Sequence, residues 1–261
     1  MAEQIIVYGD ARDVEIEADS IDCVVTSPPY FGLRSYGDSE REIGRGSLDD
    51  YVNDMVRVAE KMHSCVKDTG VFWLNVGDTA SGSGGAGGDF KASGSKSDVP
   101  LYRQGDTGIR KGQWCLVPER VAIAIQENTG WLLRSMITWD KETLRPESPK
   151  HTKRPGVSSE KIMMFSKGMK YTFNDELLKD EDMDRGDVWR FPPYRGKRKH
   201  MAPFPQELVR RCVMLTTNEG DTVLDPFVGS GTTLQVANDL GRNAVGVDIY
   251  SYDSSIEGEE H

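Results

Sequence analysis

The chain is short of the residues that would tie it to a metal, a disulfide framework or a membrane. Its four cysteines, at positions 23, 65, 115 and 212 of 261, never fall in a Cys-x-x-Cys spacing and sit in mainly apolar contexts. That excludes a zinc ribbon or a stapled secreted fold and predicts reduced core residues of an intracellular protein. His63, His151, His200 and His261 make no metal-type pair, so no metal site is expected. No apolar run approaches the roughly 20 residues that cross a bilayer, and the first residues lack the basic start and apolar core of a secretory leader. A cytoplasmic protein is expected. Nor is there an excess of positive charge: 42 acidic residues face 32 basic ones, for a formal charge of −10, which argues against indiscriminate polyanion binding.

The distribution of charge softens that last exclusion. Residues 253–261 carry four acids and no Lys or Arg, whereas residues 141–170 carry eight Lys and Arg against three acids, and Arg195-Gly196-Lys197-Arg198-Lys199-His200 is almost wholly basic. Such runs are usually solvated faces. Two of them on an acidic protein suggest a local groove for phosphates, with Lys153, Arg154, Arg195, Lys197, Arg198 and Lys199 as candidate contacts.

The length fits one α/β domain over 1–261 with insertions. Seven strands are expected: Ile5–Tyr8, Cys23–Val25, Val71–Val76, Leu132–Trp139, Ile162–Phe165, Val223–Leu224 and Ala244–Val247. Between them, Leu48 to Val66 has the helical period with Tyr51, Met55 and Met62 on one side, and Gly70 is expected to stop it. Pro118 and Pro205 open two further helices, and Leu234 to Leu240 reads as a fourth. Residues 79–113 read as a flexible Gly-rich insert; the Gly-Ser run lacks the Lys-Ser/Thr ending of a phosphate loop. Lys141 to Arg154 reads as an exposed loop, and residues 171–200 as a small specificity region.

Two stretches carry chemistry. Thr26-Ser27-Pro28-Pro29-Tyr30 follows an apolar strand and cannot continue it, because two prolines remove two donors and set two φ angles. What remains is a rigid hook with a hydroxyl at Ser27 and a ring at Tyr30. At the other end of the chain, Thr222-Val223-Leu224, the turn Asp225-Pro226-Phe227-Val228-Gly229-Ser230-Gly231-Thr232-Thr233, a helix and a strand ending at Asp248 make a βαβ unit. Gly229 and Gly231 let a ligand approach the backbone, and Asp248 is placed to accept from ribose hydroxyls. Leu234 stands where a dinucleotide fingerprint has its third Gly, and no Lys precedes Thr232, as a Walker loop requires.

The Asp225–Thr233 loop resembles the S-adenosylmethionine loop of DNA amino-methyltransferases, and the hook resembles their Asp/Asn/Ser-Pro-Pro-Tyr/Phe catalytic motif. The hook precedes the loop, as in the permuted β-class of that family, and weaker similarity includes Trp73-Leu74-Asn75-Val76-Gly77-Asp78, Trp139-Asp140-Lys141 and Pro203-Phe204-Pro205. The resemblance implies a doubly wound, mostly parallel, seven-stranded Rossmann-like sheet, circularly permuted, with the loop's strand beside the hook's and residues 171–200 as an inserted DNA-recognition region. It implies catalysis by Ser27, Pro28, Pro29 and Tyr30. Cofactor contacts would come from Asp10, Pro203, Phe204, Asp225, Pro226, Phe227, Gly229, Ser230, Gly231, Thr232 and Asp248. Arg34 joins the DNA contacts, and a prokaryotic or viral host with a paired restriction endonuclease fits the class. The family continues after the ribose acid with an amphipathic helix; here residues 249–261 are short and acidic, so a distorted or uncovered sheet face is expected there.

Within the resembling family, Ser at the head of the hook is associated with cytosine N4, and Asp or Asn with adenine N6. The expected reaction is methyl transfer from S-adenosylmethionine to cytosine N4 in DNA, with adenine N6 as the alternative. A nucleic-acid or nucleotide-binding module that has kept the fold without catalysis is the reading from another class.

Overall fold

Buried on both faces, the central strands are continuous apolar runs because helices cover each side of a sheet that is parallel for most of its width. The computed structural model describes residues 2–32, 41–82, 105–143, 153–179, 183–193 and 204–250. In chain order these form β1 (Gln4–Tyr8), β2 (Ile21–Thr26), α1 (Leu48–Cys65), β3 (Val66–Val76), α2 (Val117–Asn128), β4 (Leu132–Asp140), β5 (Ser159–Ser166), β6 (Val188–Arg190), α3 (Gln206–Thr216), β7 (Thr222–Asp225), α4 (Thr232–Asp239) and β8 (Asn243–Asp248). The sheet order is β1-β8-β7-β2-β3-β5-β4-β6. Among these strands only β5 is antiparallel to its neighbours, β3 and β4.

Side-chain alternation sorts the core into two layers. Val24, Phe72, Leu74, Met163 and Phe165 face α1 and α2, while Cys23, Val25, Trp73, Ile162 and Met164 face α3 and α4. The apolar stripe of α1 is Tyr51, Met55, Val58, Ala59 and Met62, and a Ser47–Asp50 capping box starts that helix. Burial pushes the Cys23 thiol up to about 12 and raises the other three thiols as well. They are core groups, not nucleophiles.

Three expectations need correction. Eight strands are present among the described residues, not seven; the extra one is β6, three residues inside the 171–200 region, which exists by pairing with β4. So short an element has no period of its own. Second, α1 ends at Cys65 and β3 begins at once, so Gly70 lies inside a strand. A Cβ there would come within 2.9 Å of the Asp22 carbonyl oxygen, which makes Gly70 a close-approach residue rather than a helix stop. Third, Lys141 is buried, not part of an exposed loop. Ser81 and Gln113 are joined backbone to backbone and Ala80 bridges Trp114, so the ends of the expected flexible Gly-rich insert meet; residues 83–104 lie outside the described residues. At the edge strand β1, Ile5, Ile6 and Tyr8 are about half exposed; residues 251–261, on which the expectation of an uncovered face rests, lie outside the described residues.

Strands β2 and β7 lie side by side and parallel, and a carboxylate locks their carboxyl ends. Asp225 accepts from Thr26 Oγ1 at 2.6 Å, from the Phe227 amide at 3.0 Å and from Thr233 Oγ1 at 2.5 Å. Burial pushes the Asp225 carboxyl up to about 6, against the pull of those three donors. A raised folded-state value means the native state binds this proton more tightly, so the stabilisation is present at low pH and is lost as pH rises through about 6. Asp225→Asn is therefore expected to gain stability on the parent by about 3 kcal/mol between pH 4 and 6, with a flat difference above that, in denaturant titrations at each pH. A second contrast tests the layers. Met55→Ala should lower the unfolding free energy by about 2–5 kcal/mol, whereas Ile6→Ser on the half-exposed edge strand should stay within about 0.5 kcal/mol.

Candidate active site

Because β1, β2, β3, β7 and β8 are parallel, their carboxyl ends share one edge, and the order of the chain reverses there between β7 and β2. Ligands of open α/β sheets bind at such a point. The hook leaves β2 and the Gly-rich loop leaves β7, and the Thr26–Asp225 bond joins their roots. The far-apart motifs are neighbours.

The loop has the form of a cradle. Gly229 and Gly231 both take positive φ, 47° and 78°, conformations that L side chains adopt rarely. A Cβ built on Gly231 would meet nothing within 4 Å, so this glycine faces open space at the start of α4. Asp248, at the end of β8, accepts from the Gly229 amide at 3.2 Å and the Tyr250 amide at 2.9 Å. Burial raises its proton affinity, and these amides hold it back. Space above the loop, a helix N-terminus and a carboxylate at the next strand end suit the nucleoside part of S-adenosylmethionine. When bound, that cofactor supplies a methyl group on a sulfonium centre.

The other cofactor candidates divide. Asp225 and Pro226 are buried, and the Asp225 oxygens are held by the clamp, so they shape the loop from beneath. Ser230 and Thr232 hydroxyls lie 3.4 Å apart at its tip. Phe227 packs against the α1 and α2 layer and Phe204 against the α3 and α4 layer. Asp10 follows β1 and is buried in an ion-pair cluster: Arg12 grips both its oxygens, at 2.9 and 2.6 Å, and Arg41 lies 3.0 Å away. Burial raises the Asp10 pKa, but the two guanidiniums outweigh it and leave the carboxyl below its usual range. Arg12 also reaches Asp54 on α1 at 2.8 Å, so the cluster pins the end of β1 to the first helix. Pro203 lies outside the described residues.

At the hook, Ser27 Oγ is 3.4 Å from both the Tyr30 hydroxyl and Asn75 Oδ1. Tyr30 donates to Glu160 Oε2 at 2.6 Å and is 3.1 Å from Asn75 Oδ1. The antiparallel course of β5 explains this company. It brings its beginning, Glu160, to the edge where β3 brings its end, Asn75. Lys141, just past β4, pairs with Glu160 Oε1 at 2.7 Å. Asn75, Glu160 and Lys141 had no role from sequence reasoning; the one available signal was Asn75, an amide inside an otherwise apolar strand.

The candidate DNA contacts are only partly placed. Lys153 is exposed, and the Arg154 guanidinium lies 4.7 Å from the Trp114 ring centroid, a cation–π geometry that ties the loop after β4 to the insert's flank. Arg34, Arg195, Lys197, Arg198 and Lys199 lie outside the described residues. Among the described residues no group of three or more His, Cys, Asp or Glu could hold a metal ion, and no helix is long and apolar enough to cross a membrane.

Comparison with known proteins bears on this arrangement directly. A family model described as DNA methylase, named for N6 and N4 methyltransferases, matches residues 21–256. The chain is 38% identical over 266 residues to the type II methyltransferase M.SmaI of Serratia marcescens, covering 97% of this chain and 89% of that one. It is 36% identical over 253 residues to M.Cfr9I of Citrobacter freundii, with coverage of 92% and 82%. Among solved structures, the PvuII DNA methyltransferase (cytosine-N4-specific) matches with a TM-score of 0.70 over 95% of this chain and 83% of that one. At 18% identity that likeness shows the fold alone. A Thermus thermophilus protein described as a putative DNA modification methylase, solved with S-adenosyl-L-methionine, matches with a TM-score of 0.63 at 25% identity, covering 95% and 88%. The chain thus belongs to the DNA methylase family of N6 and N4 amino-methyltransferases and is an S-adenosylmethionine-dependent DNA methyltransferase on a permuted, mostly parallel α/β sheet.

Proposed function

We propose that this enzyme methylates the N4 amine of cytosine within a specific DNA sequence. The observation that carries the choice of base is Ser27: the hook presents a hydroxyl, not a carboxylate or amide, beside the cofactor loop. Fold likeness to a cytosine-N4 enzyme does not decide it. The type II names of the relatives favour a restriction endonuclease partner that acts on the same sequence.

An exocyclic amine of cytosine is planar, because its lone pair is delocalised into the ring, and so it is a weak nucleophile. Acceptors that draw on its two hydrogens make the nitrogen more tetrahedral and free the lone pair. The Ser27 hydroxyl and the Pro28 carbonyl are assigned that task, with Pro29 making the turn rigid. The methylated nitrogen carries a positive charge and gives up one proton to solvent, so no strong base is needed; positioned dipoles carry most of the rate. A base inside a duplex cannot reach the hook, so the target is swung out and stacked on Tyr30, at a cost of about a few kcal/mol in unstacking. On the cofactor side, Asp248 would accept from the ribose hydroxyls. Gly229, Ser230, Gly231 and Thr232 would offer backbone and hydroxyl contacts over the loop. Phe227, Phe204 and Pro203 would close on the methionine end, and Asp10 would hold the adenine side in place through its arginine cluster. Lys153, Arg154, Arg34 and the run 195–199 would meet phosphates, with 171–200 supplying sequence recognition.

Mass analysis of nucleosides from DNA methylated by the enzyme should give N4-methylcytosine. N6-methyladenine would replace this reading with the adenine one, and no methylated nucleoside with cofactor still bound would leave a binding module. The division of labour predicts opposite phenotypes. Ser27→Ala should cut turnover with cofactor affinity nearly unchanged, whereas Asp248→Ala should weaken cofactor binding by about 1–3 kcal/mol, measured by calorimetry and single-turnover transfer.

A further inference from the structure

The hydrogen of the Ser27 hydroxyl has to point away from the substrate if its oxygen is to accept an amine N–H. A free serine hydroxyl rotates and would present donor and acceptor alternately. The surroundings of Ser27 remove that freedom. Asn75 donates through Nδ2 to the Lys161 carbonyl at 3.1 Å, which turns its Oδ1 toward Ser27. Tyr30 donates its hydroxyl proton to Glu160 at 2.6 Å, closer than the 3.1 Å to Asn75 Oδ1. Its oxygen is then left to accept from Ser27. Both groups facing Ser27 from inside the protein are acceptors.

We infer that Glu160, held by Lys141, is a positioning residue that sets the direction of the Ser27 hydroxyl through Tyr30. The chain runs Ser27 O–H to Tyr30 O–H to the Glu160 carboxylate, and ends on the Lys141 ammonium. Glu160 and Lys141 are both buried. Lys141 donates to Oε1 and the Tyr30 hydroxyl to Oε2, so the carboxylate takes a donor on each oxygen. Trp139 gives the ammonium an aromatic face, 5.5 Å from Nζ to the ring centroid. The consequence at the reaction centre is a Ser27 lone pair fixed toward the space where an amine hydrogen would arrive. The two contacts to Ser27, at 3.4 Å, are long, as catalytic hydrogen bonds often are before substrate binds.

This inference rests on Ser27 acting as an amine acceptor, and the test separates the two. Labelled-methyl transfer to DNA by the unmodified enzyme comes first; its absence refutes the enzyme's proposed action, and the role of Glu160 with it. Given transfer, Tyr30→Phe, Glu160→Gln and the double variant are compared in single turnover, with thermal unfolding and cofactor affinity measured on each. Each single change should lower the methyl-transfer rate about tenfold to a hundredfold with cofactor affinity unchanged. The double variant should be no slower than the worse single, because both interrupt one chain. Multiplying losses, or a Glu160→Gln rate equal to the parent's, would overturn the inference while leaving methyl transfer in place. Glu160→Gln strands a buried ammonium, so Glu160→Gln/Lys141→Met removes both charges and serves if the single variant unfolds. Its rate in the presence and absence of Tyr30→Phe then decides in the same way.

Discussion

The carboxylate of Asp225 is the point on which the site depends. It is buried between two strands that meet from opposite ends of the chain, and it takes hydroxyl hydrogens from Thr26 on one side and Thr233 on the other. A buried acid costs stability unless its oxygens are satisfied, and here satisfying them is what joins the hook to the cofactor loop. Remove either threonine donor and the carboxylate loses a partner while one motif loses its anchor. The geometry of methyl transfer requires two motifs held at a fixed separation, and a clamp at their roots supplies it without occupying the space between them.

Around that clamp the polar groups are divided by depth. Asp10 and Asp225, both expected as cofactor contacts by resemblance, have carboxylates engaged by protein donors at the ends of β1 and β7. Asp248 and the glycine turn lie nearer to open space. The chemistry of the hook has the same layering: Ser27 stands at the front, Tyr30 and Asn75 behind it, and the Glu160–Lys141 pair at the back. In the hook a charged pair deep in the structure stands behind uncharged groups nearer the open edge, an arrangement that limits reorganisation when charge develops.

The antiparallel strand β5 has a functional consequence. In a purely parallel sheet every strand delivers its last residues to the ligand edge. Because β5 runs backwards, a strand beginning is delivered there as well, and Glu160 arrives beside Asn75 although 85 positions separate them in the chain. This also accounts for what sequence reasoning overlooked. Lys141, in a Pro- and Lys-rich stretch, has the local pattern of an exposed loop, and only the partner across the strand pair makes its burial possible. Gly70 has the pattern of a helix stop, yet its real constraint is the Asp22 carbonyl of the neighbouring strand.

By itself the sequence determined the features whose causes are local. The Pro28-Pro29 pair ends β2, Gly229 and Gly231 make a turn with positive φ, and apolar runs such as Val71 to Val76 demand burial on both faces. Those features sufficed to mark the hook, the Gly-rich loop and the family. Tertiary structure decided whatever depends on a partner far along the chain: β6, which exists only as the neighbour of β4; the protonation of Asp225, raised by burial; and the company of Ser27. A hydroxyl has no fixed direction of its own; Ser27 faces the Tyr30 hydroxyl of its own hook and Asn75 from β3, with Glu160 of β5 and Lys141 after β4 behind Tyr30.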